Sequence, residues 1–337
     1  MGTKTLRIYL ITRFLQYVLV IFLGLTLVFF IPRLLPQDPI RAIIGQFQQQ
    51  GAGLDAKTVE TMVATFQELF GLSGSLLTQY VSFWKRVLTL DFGPSFFQFP
   101  TPVSQLIRRF LPWTLGLMLS STIAAWLLGN VVGGIAGYFS QKRWAKFLDT
   151  LATVIRPMPH YVFGLVLLIL FAYLWKIFPL GGGTSIGKTP SFTIASFLDI
   201  LRHSFLPALT MVTLNGTAWY HQMRLLVQNV KNEDFVRHAK FGGVHTWRLV
   251  SQYVIRNAML PQVTGLALSI GQIYSAAIIV EIVFSYPGLG TLLFEAISRA
   301  DYNLIMGIAA ISIFMVSTLV LIVDLCYPLL DPRIRYK

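Results

Sequence analysis

Long runs of apolar side chains dominate this sequence, and short stretches rich in lysine and arginine separate them. A helix that crosses a membrane needs about 20 mostly apolar residues, and several of the runs reach that length. Charged residues make up only 12% of the chain, whereas a soluble domain averages about 25%. So few charges cannot coat a water-soluble globule. The pattern therefore predicts an all-α polytopic membrane protein. It excludes a disordered chain, because disordered chains are poor in apolar residues.

The apolar runs predict about six transmembrane helices, with approximate bounds 14–31, 112–139, 148–175, 205–226, 261–284 and 305–329. The first run is longer than the apolar core of a secretory signal, so we interpret it as an uncleaved span. Prolines lie at or near the start of the third, fourth and fifth runs. The second run carries Gly129, Gly133, Gly134 and Gly137, and such small residues allow membrane helices to approach closely.

The distribution of positive charge predicts the topology. The net charge is +13, and cytoplasmic loops of membrane proteins carry an excess of lysine and arginine. Segments 140–147 and 227–260 and the two termini hold many basic residues, whereas the alternate short loops hold few. This asymmetry predicts cytoplasmic N- and C-termini and places 36–110 outside. Nucleic acid is not an expected partner, because no basic stripe lies on a polar domain.

The outer segment, residues 36–110, is predicted to be helical. Apolar residues recur at helical spacing from Ala56 to Phe70 and again from Leu76 to Leu88. We expect two amphipathic helices that lie on the external face of the membrane. They would cover the ends of the spans, provide a docking surface for an external partner, or do both. The predicted organisation is thus 1–35 with the first span, 36–110 outside the membrane, and 111–337 as the transmembrane core with the other five spans.

Residues Gly182 to Thr189 satisfy the G-x-x-x-x-G-K-[ST] pattern of a phosphate-binding loop. Such a loop must lie between a buried strand and a helix, where its amides hold phosphates. Here a predicted membrane helix precedes the pattern, Pro190 follows it, and the predicted location is outside the cell membrane, where ATP is absent. We therefore interpret the pattern as a glycine-rich turn.

A polar stretch from Asn232 to Pro261 lies between the predicted fourth and fifth spans. Glu233 and Asp234 are suited to a helix N-terminus, where negative charge is stabilised by the dipole. Gly242 and Gly243 are suited to the end of that helix. The spacing predicts a short helix that is ended by glycine, then a second helix over 247–258. An ordinary solvated loop is the alternative interpretation of the spacing.

The chain carries a series of segments with recognisable motifs: 34–39 (LLPQDP), 79–80, 91–96 (DFGPSF), 206–210 (LPALT), 234–243, 256–261 (RNAMLP), 280–290 (VEIVFSYPGLG), 301–302 and 331–335 (DPRIR). In their order and spacing, these segments resemble the permease subunits of bacterial binding-protein-dependent ABC importers, in the dipeptide, oligopeptide and nickel branch. The resemblance covers nearly the whole chain, and within this branch it is to the first of the two permease subunits. The family's Glu-Ala-Ala motif is replaced by Arg237-His238-Ala239.

The resemblance implies a coupling segment within 227–260 that docks on a cytoplasmic ATPase. Its expected residues are Asp234, Phe235, Arg237, His238, Ala239, Gly242 and Gly243. It also implies a homologous second permease, two ABC ATPase subunits and an external solute-binding protein, in addition to membrane lipid. ATP and Mg²⁺ would be used by the ATPase subunits, while this chain would bind no cofactor, hold no metal and catalyse no reaction. The expected location is the bacterial inner membrane.

Four polar residues within or near the predicted spans are candidates for lining the transport pathway: Arg156, His160, Asn215 and Glu281. Ionisable residues within spans face a cavity or a partner as a rule. Arg156 either extends its side chain to the interface or contacts an anionic solute, and His160 is either a structural residue or a pathway residue.

The expected solute is a peptide, and an oligosaccharide is the alternative. Nickel fits least well, because no His, Cys or acidic cluster has ligand spacing and the chain has one cysteine, Cys326.

An intramembrane enzyme would need a motif such as H-E-x-x-H, which is absent from the sequence. A self-sufficient channel or carrier would need a charged ring or inverted halves, and neither is visible.

Overall fold

The computed structural model describes residues 3–34, 56–69, 71 and 73–330. These residues form helices and loops, and no strand occurs among them, so the predicted all-α class is confirmed. The helices are α1 (Thr3–Leu34), α2 (Ala56–Leu69), α3 (Leu76–Thr89), α4 (Val103–Tyr138), α5 (Arg143–Ile155), α6 (His160–Leu167, continued by the π-helical segment Leu168–Leu174), α7 (Ile194–Val230), α8 (Asp234–Phe241), α9 (Thr246–Arg248, the π-helical segment Leu249–Ile255, then Arg256–Val283), α10 (Leu289–Ser298) and α11 (Tyr302–Leu330).

Among the described residues, α1, α4, α7 and α11 are long and apolar enough to cross a membrane. Helices α5 and α6 meet at 109° across a short break and would add a fifth crossing if they form one span. The break falls at Pro157 and Pro159, near the start of the third predicted span. The protein is therefore polytopic, while the predicted total of six spans stays a prediction.

Three prolines that were expected to mark the starts of spans lie inside helices instead. Pro112 is inside α4, Pro207 inside α7 and Pro261 inside α9. The second and fourth spans therefore belong to helices that begin earlier than predicted, at Val103 and Ile194. The helix expected over 247–258 does not end there, because it continues without a break into the fifth span. A proline removes one amide donor, and membrane helices tolerate this loss because neighbouring groups re-satisfy the freed carbonyl.

The chain divides into two compact units. The first comprises Met1–Pro112 and Thr291–Thr318, and the second comprises Trp113–Gly290 and Leu319–Lys337. The sequence motifs at 35–39 and 331–335 lie outside the described residues.

In the first unit, α3 packs along α1. The Tyr80 ring lies edge-on to Phe29, with centroids 5.1 Å apart, and the Tyr80 hydroxyl is 2.8 Å from that of Thr26. Trp84 stacks on Phe22 at 5.6 Å. Tyr80 and Trp84 belong to the apolar stripe predicted over 76–88, whereas Leu77, Val81 and Leu88 of the same stripe are exposed. The helices predicted at 56–70 and 76–88 are confirmed as α2 and α3 over the described residues.

A buried aspartate joins the 95–97 loop to the start of α11 in the first unit. Asp301 is fully buried immediately before α11. Its carboxylate accepts hydrogen bonds from the Ser95 hydroxyl and from the amides of Phe97 and Leu304, the two amides at 3.0 Å. The Leu304 amide would otherwise be unsatisfied at the start of the helix, so Asp301 caps α11 and fixes the 95–97 loop upon it.

In the second unit, α4 and α7 touch through their backbones. A Cβ atom on Gly133 would lie 2.5 Å from the Tyr220 carbonyl oxygen, and one on Gly137 would lie 2.8 Å from that of Arg224. No larger residue fits at these positions without moving a helix. The predicted close approach at the glycines of the second span is thereby confirmed.

Helix α5 is amphipathic and is tied to α7 by charge. The Arg224 guanidinium lies 3.1 Å from the Asp149 carboxylate, and the His221 ring nitrogen lies 3.8 Å from the same carboxylate.

The loop before α7 contains the glycine-rich pattern. Its Ser185 amide donates to Asp199 at 2.8 Å, and α7 begins only at Ile194. Neither a strand before the pattern nor a helix directly after it is present in this part of the structure, so a phosphate-binding loop is not formed.

Candidate functional site: the coupling helix and the polar groups of the spans

Helix α8 is the short helix that the polar stretch predicted. Glu233 is its N-cap residue, and Asp234 occupies the first turn. His238 and Lys240 lie in the last turn, where positive charge suits the helix dipole. The Gly242 amide donates to the His238 carbonyl at 2.9 Å, and Gly243 has a φ of +77°. Glycine adopts this left-handed conformation without the steric cost that other residues meet, which explains the Gly-Gly stop.

One side chain anchors α8 to the second unit. Val236 is only 3% exposed and belongs to an apolar cluster with Tyr138, Met223, Val227, Leu249, Val250, Val254 and Ala258. Ala239 and Val244 pack against the same cluster. An isolated helix of eight residues is not stable in water, so α8 depends on this cluster for its stability.

The opposite face of α8 is open. Phe235 is 44% exposed and Phe241 88% exposed. Asp234, Arg237 and His238 are also exposed. The predicted coupling residues therefore lie together on α8 and in the turn after it, with Ala239 half-buried beneath them. The arrangement presents charged and aromatic side chains on a helix whose other face is fixed to the spans.

Lys231 provides a second attachment that the sequence did not reveal. Its ammonium donates to the Tyr138 carbonyl at 2.7 Å and lies 4.8 Å from the centre of the Tyr138 ring. Tyr138 is the last residue of α4, whose terminal carbonyls lack helical partners. Lys231 therefore ties the turn before α8 to the end of α4. A basic residue just beyond a predicted helix is a general signal for this role, although it names no partner.

A π-helical segment follows the first three residues of α9. Residues Leu249–Ile255 are π-helical, and Leu249, Val250 and Val254 contribute to the cluster that holds Val236. Single π-helical turns are rare and are often found at functional sites. The wider turn lets three apolar residues of α9 face the same cluster that anchors α8.

Two of the four candidate pathway residues meet in the structure. The His160 ring nitrogen Nε2 lies 3.3 Å from the Asn215 amide oxygen, which joins the start of α6 to the middle of α7. The amide nitrogen of Asn215 is buried without a hydrogen-bond partner among the described residues. The pair therefore has an unused donor inside a span.

The other two candidates lie in different surroundings. Arg156 is exposed at the break between α5 and α6. Glu281 is fully buried near the end of α9 and accepts a hydrogen bond from the Gly290 amide at 2.6 Å. Gly288 packs so tightly on this carboxylate that a side chain there would overlap it. Glu281 thus holds the turn into α10, residues 288–290. Within the described ranges, no three His, Cys, Asp or Glu side chains gather as a metal site requires.

Comparison with known proteins identifies the family. The sequence profile described as "binding-protein-dependent transport system inner membrane component" matches residues 129–336. The chain belongs to this family. It is a permease subunit, a transport component that crosses the inner membrane more than once, and α4 from Gly129 onward, α8 and α9 all lie within the matched region.

Similar proteins extend the match over the rest of the permease. The oligopeptide transport system permease protein AppB of Bacillus subtilis is 30% identical, over 97% of this chain and 99% of that protein. The di/tripeptide transport system permease protein DppB of Pseudomonas aeruginosa is 30% identical over 97% and 98%. The glutathione transport system permease protein GsiC of Salmonella typhimurium is 31% identical over 98% and 99%. The resemblance inferred from the motifs is thereby confirmed.

Proposed function

We propose that this permease forms half of the translocation pathway of an ATP-driven importer for peptides. The observation that carries the solute class is the near-complete coverage of three relatives whose names specify oligopeptides, di/tripeptides and glutathione. Glutathione is itself a short peptide, so the three names agree on one chemical class. Oligosaccharides are the alternative solute, and nickel fits least well because nickel requires a cluster of ligands.

Helix α8 is the proposed contact with a cytoplasmic ATPase subunit. Asp234, Phe235, Arg237 and His238 would meet the ATPase, while Ala239 supports the helix and Gly242 and Gly243 end it. This assignment is supported by the open face of α8 and by the firm packing of Val236 on the opposite face. A helix that is exposed on one side and fixed on the other can transmit a movement of the ATPase to the spans as a rigid body.

The proposed assembly contains this chain, a homologous second permease, two ABC ATPase subunits that use ATP and Mg²⁺, and an external solute-binding protein. Both termini and segment 227–260 would lie in the cytoplasm. The segment 36–110 would lie outside and contribute to docking of the binding protein. The permease core over 111–337 would contain the pathway.

Within the pathway, His160 and Asn215 are the proposed solute contacts. The support is their mutual hydrogen bond, which brings two polar side chains together within the spans. The Asn215 amide nitrogen is buried here, so it would donate to a peptide carbonyl only in a conformation that opens this region. Arg156 is proposed as a contact at the cytoplasmic end. Glu281 is proposed to act on the pathway only through the 288–290 turn that it holds.

Reconstitution tests the proposal. The full transporter in proteoliposomes, with its binding protein and ATP, should accumulate a radiolabelled dipeptide, and omission of either the ATPase subunits or the binding protein should abolish uptake. Accumulation of a labelled trisaccharide instead would overturn the solute assignment. Uptake by this permease without ATPase subunits would overturn the importer mechanism.

A further inference from the structure

A cleft of about 750 Å³ opens beside the N-terminus of α8. One of its walls is formed by the end of α7 and the start of α8, through Val230, Glu233 and Phe235. Sites for small molecules have volumes of about 300–1,000 Å³, so the cleft is large enough for a short peptide. Nothing in the coupling role of α8 requires a cavity of this kind.

The opposite wall is one face of α9. Tyr253, Arg256, Asn257 and Leu260 line it, and their spacing of three and four residues places them on the same side of the helix. Gln252 lies at the same face, where it accepts a hydrogen bond from Arg248 at 3.0 Å. This wall combines apolar surface with one cation and with amide groups.

The two walls therefore carry opposite charges. Glu233 is exposed on the α8 side, and Arg256 is exposed on the α9 side. A free short peptide carries an ammonium group at one end and a carboxylate at the other. A guanidinium is well suited to a carboxylate, which it can bind through two hydrogen bonds. Val230 and Leu260 supply apolar surface for side chains, and the amide groups of the cleft can pair with the peptide bond.

We infer that this cleft binds a short zwitterionic peptide on the cytoplasmic side, with its ammonium at Glu233 and its carboxylate at Arg256. The inference rests on the proposed import of peptides. Because the two walls belong to α8 and α9, a bound peptide links the coupling helix to the fifth span. The bound peptide therefore favours the conformation in which the cleft has its present shape. Because the ATPase cycle requires the transporter to leave that conformation, the peptide slows the cycle. The imported product thus limits its own uptake.

The test is the ATPase activity of the complete transporter in nanodiscs, measured without the binding protein so that peptide can act only on the membrane complex. Dialanine at up to 10 mM should lower the activity at least fivefold, whereas N-acetyl-dialanine amide, which lacks both charges, should not. Glu233→Gln and Arg256→Gln should each raise the half-inhibitory concentration of dialanine at least tenfold. Lys146→Gln removes a positive charge outside the cleft and should leave the inhibition unchanged.

Equal inhibition in all variants, or no inhibition, would overturn the inference. So would a crosslink from Tyr253→Cys, in a Cys326→Ser background, to an ATPase subunit in the resting complex, because the ATPase would then occupy the cleft. Uptake of labelled dialanine by proteoliposomes is measured in parallel. Uptake without inhibition rejects the proposed peptide site in the cleft but not the proposed solute. Inhibition without uptake supports the peptide site and rejects the proposed solute. The absence of both uptake and inhibition rejects the two proposals together.

Discussion

The attachment of α8 can be tested by the substitution Val236→Ala. Val236 is 3% exposed in its apolar cluster, and the substitution removes two buried carbon atoms. At about 0.8 kcal/mol for each, with a further contribution from the cavity that remains, the loss is about 2 kcal/mol. An eight-residue helix has little stability of its own, so most of this loss should reduce the free energy required to detach α8 from the spans.

Hydrogen exchange measures that free energy directly. If opening is fast compared with exchange, a loss of about 2 kcal/mol accelerates exchange of the amides over 236–243 by about 30-fold. Phe235→Ala is the matched control, because Phe235 is 44% exposed and faces away from the cluster. Its exchange should stay within about threefold of the wild type, although its ATPase coupling should fall. An increase below threefold for Val236→Ala would refute the anchoring role.

Three further predictions concern glycines and a buried acid. Gly243→Ala forces an alanine into a φ of +77°, so it should destabilise the turn after α8 by about 1 kcal/mol and reduce peptide uptake. Gly242→Ala is the control, because Gly242 has a negative φ, and it should have little effect in the same uptake assay. Gly133→Ala would place its Cβ 2.5 Å from a carbonyl oxygen of α7, so the yield of monodisperse protein in size-exclusion chromatography should fall severely. Gly116→Ala, which meets nothing within 4 Å, should not change it. Glu281→Ala leaves a buried amide of the following turn unpaired and should cost about 1–3 kcal/mol, and an unchanged melting temperature would contradict the role assigned to this carboxylate.

Local signals in the sequence were sufficient to predict α8. An acidic first turn, apolar residues at helical spacing and two glycines act within the helix itself, so they predicted both its start and its end. The same reasoning failed for α9, where Pro261 was interpreted as the start of a span. The rule that proline begins a helix depends on the cost of a lost hydrogen bond, and that cost is reduced when packed neighbours donate a hydrogen bond to the freed carbonyl.

Contacts between distant residues could not be predicted from the sequence. His160 and Asn215 were named separately as polar residues in spans, and only the fold brings them to 3.3 Å. Lys231 was counted as one of several basic residues in a loop, and its bond to the end of α4 depends on how α4 and α7 pack. Glu281 was considered for the pathway on its position alone, whereas its full burial depends on the turn that folds back over it.

Crosslinking from α8 shows whether this helix meets a cytoplasmic ATPase subunit. With Cys326 replaced by serine, a cysteine introduced at Phe241, which is 88% exposed, can be followed in the assembled transporter in whole cells. We expect it to crosslink to an ATPase subunit with a yield that ATP changes. A membrane-impermeant maleimide added outside the inner membrane should not label it. Labelling from outside, or an assembled transporter in which no ATPase subunit reaches this cysteine, would contradict the account.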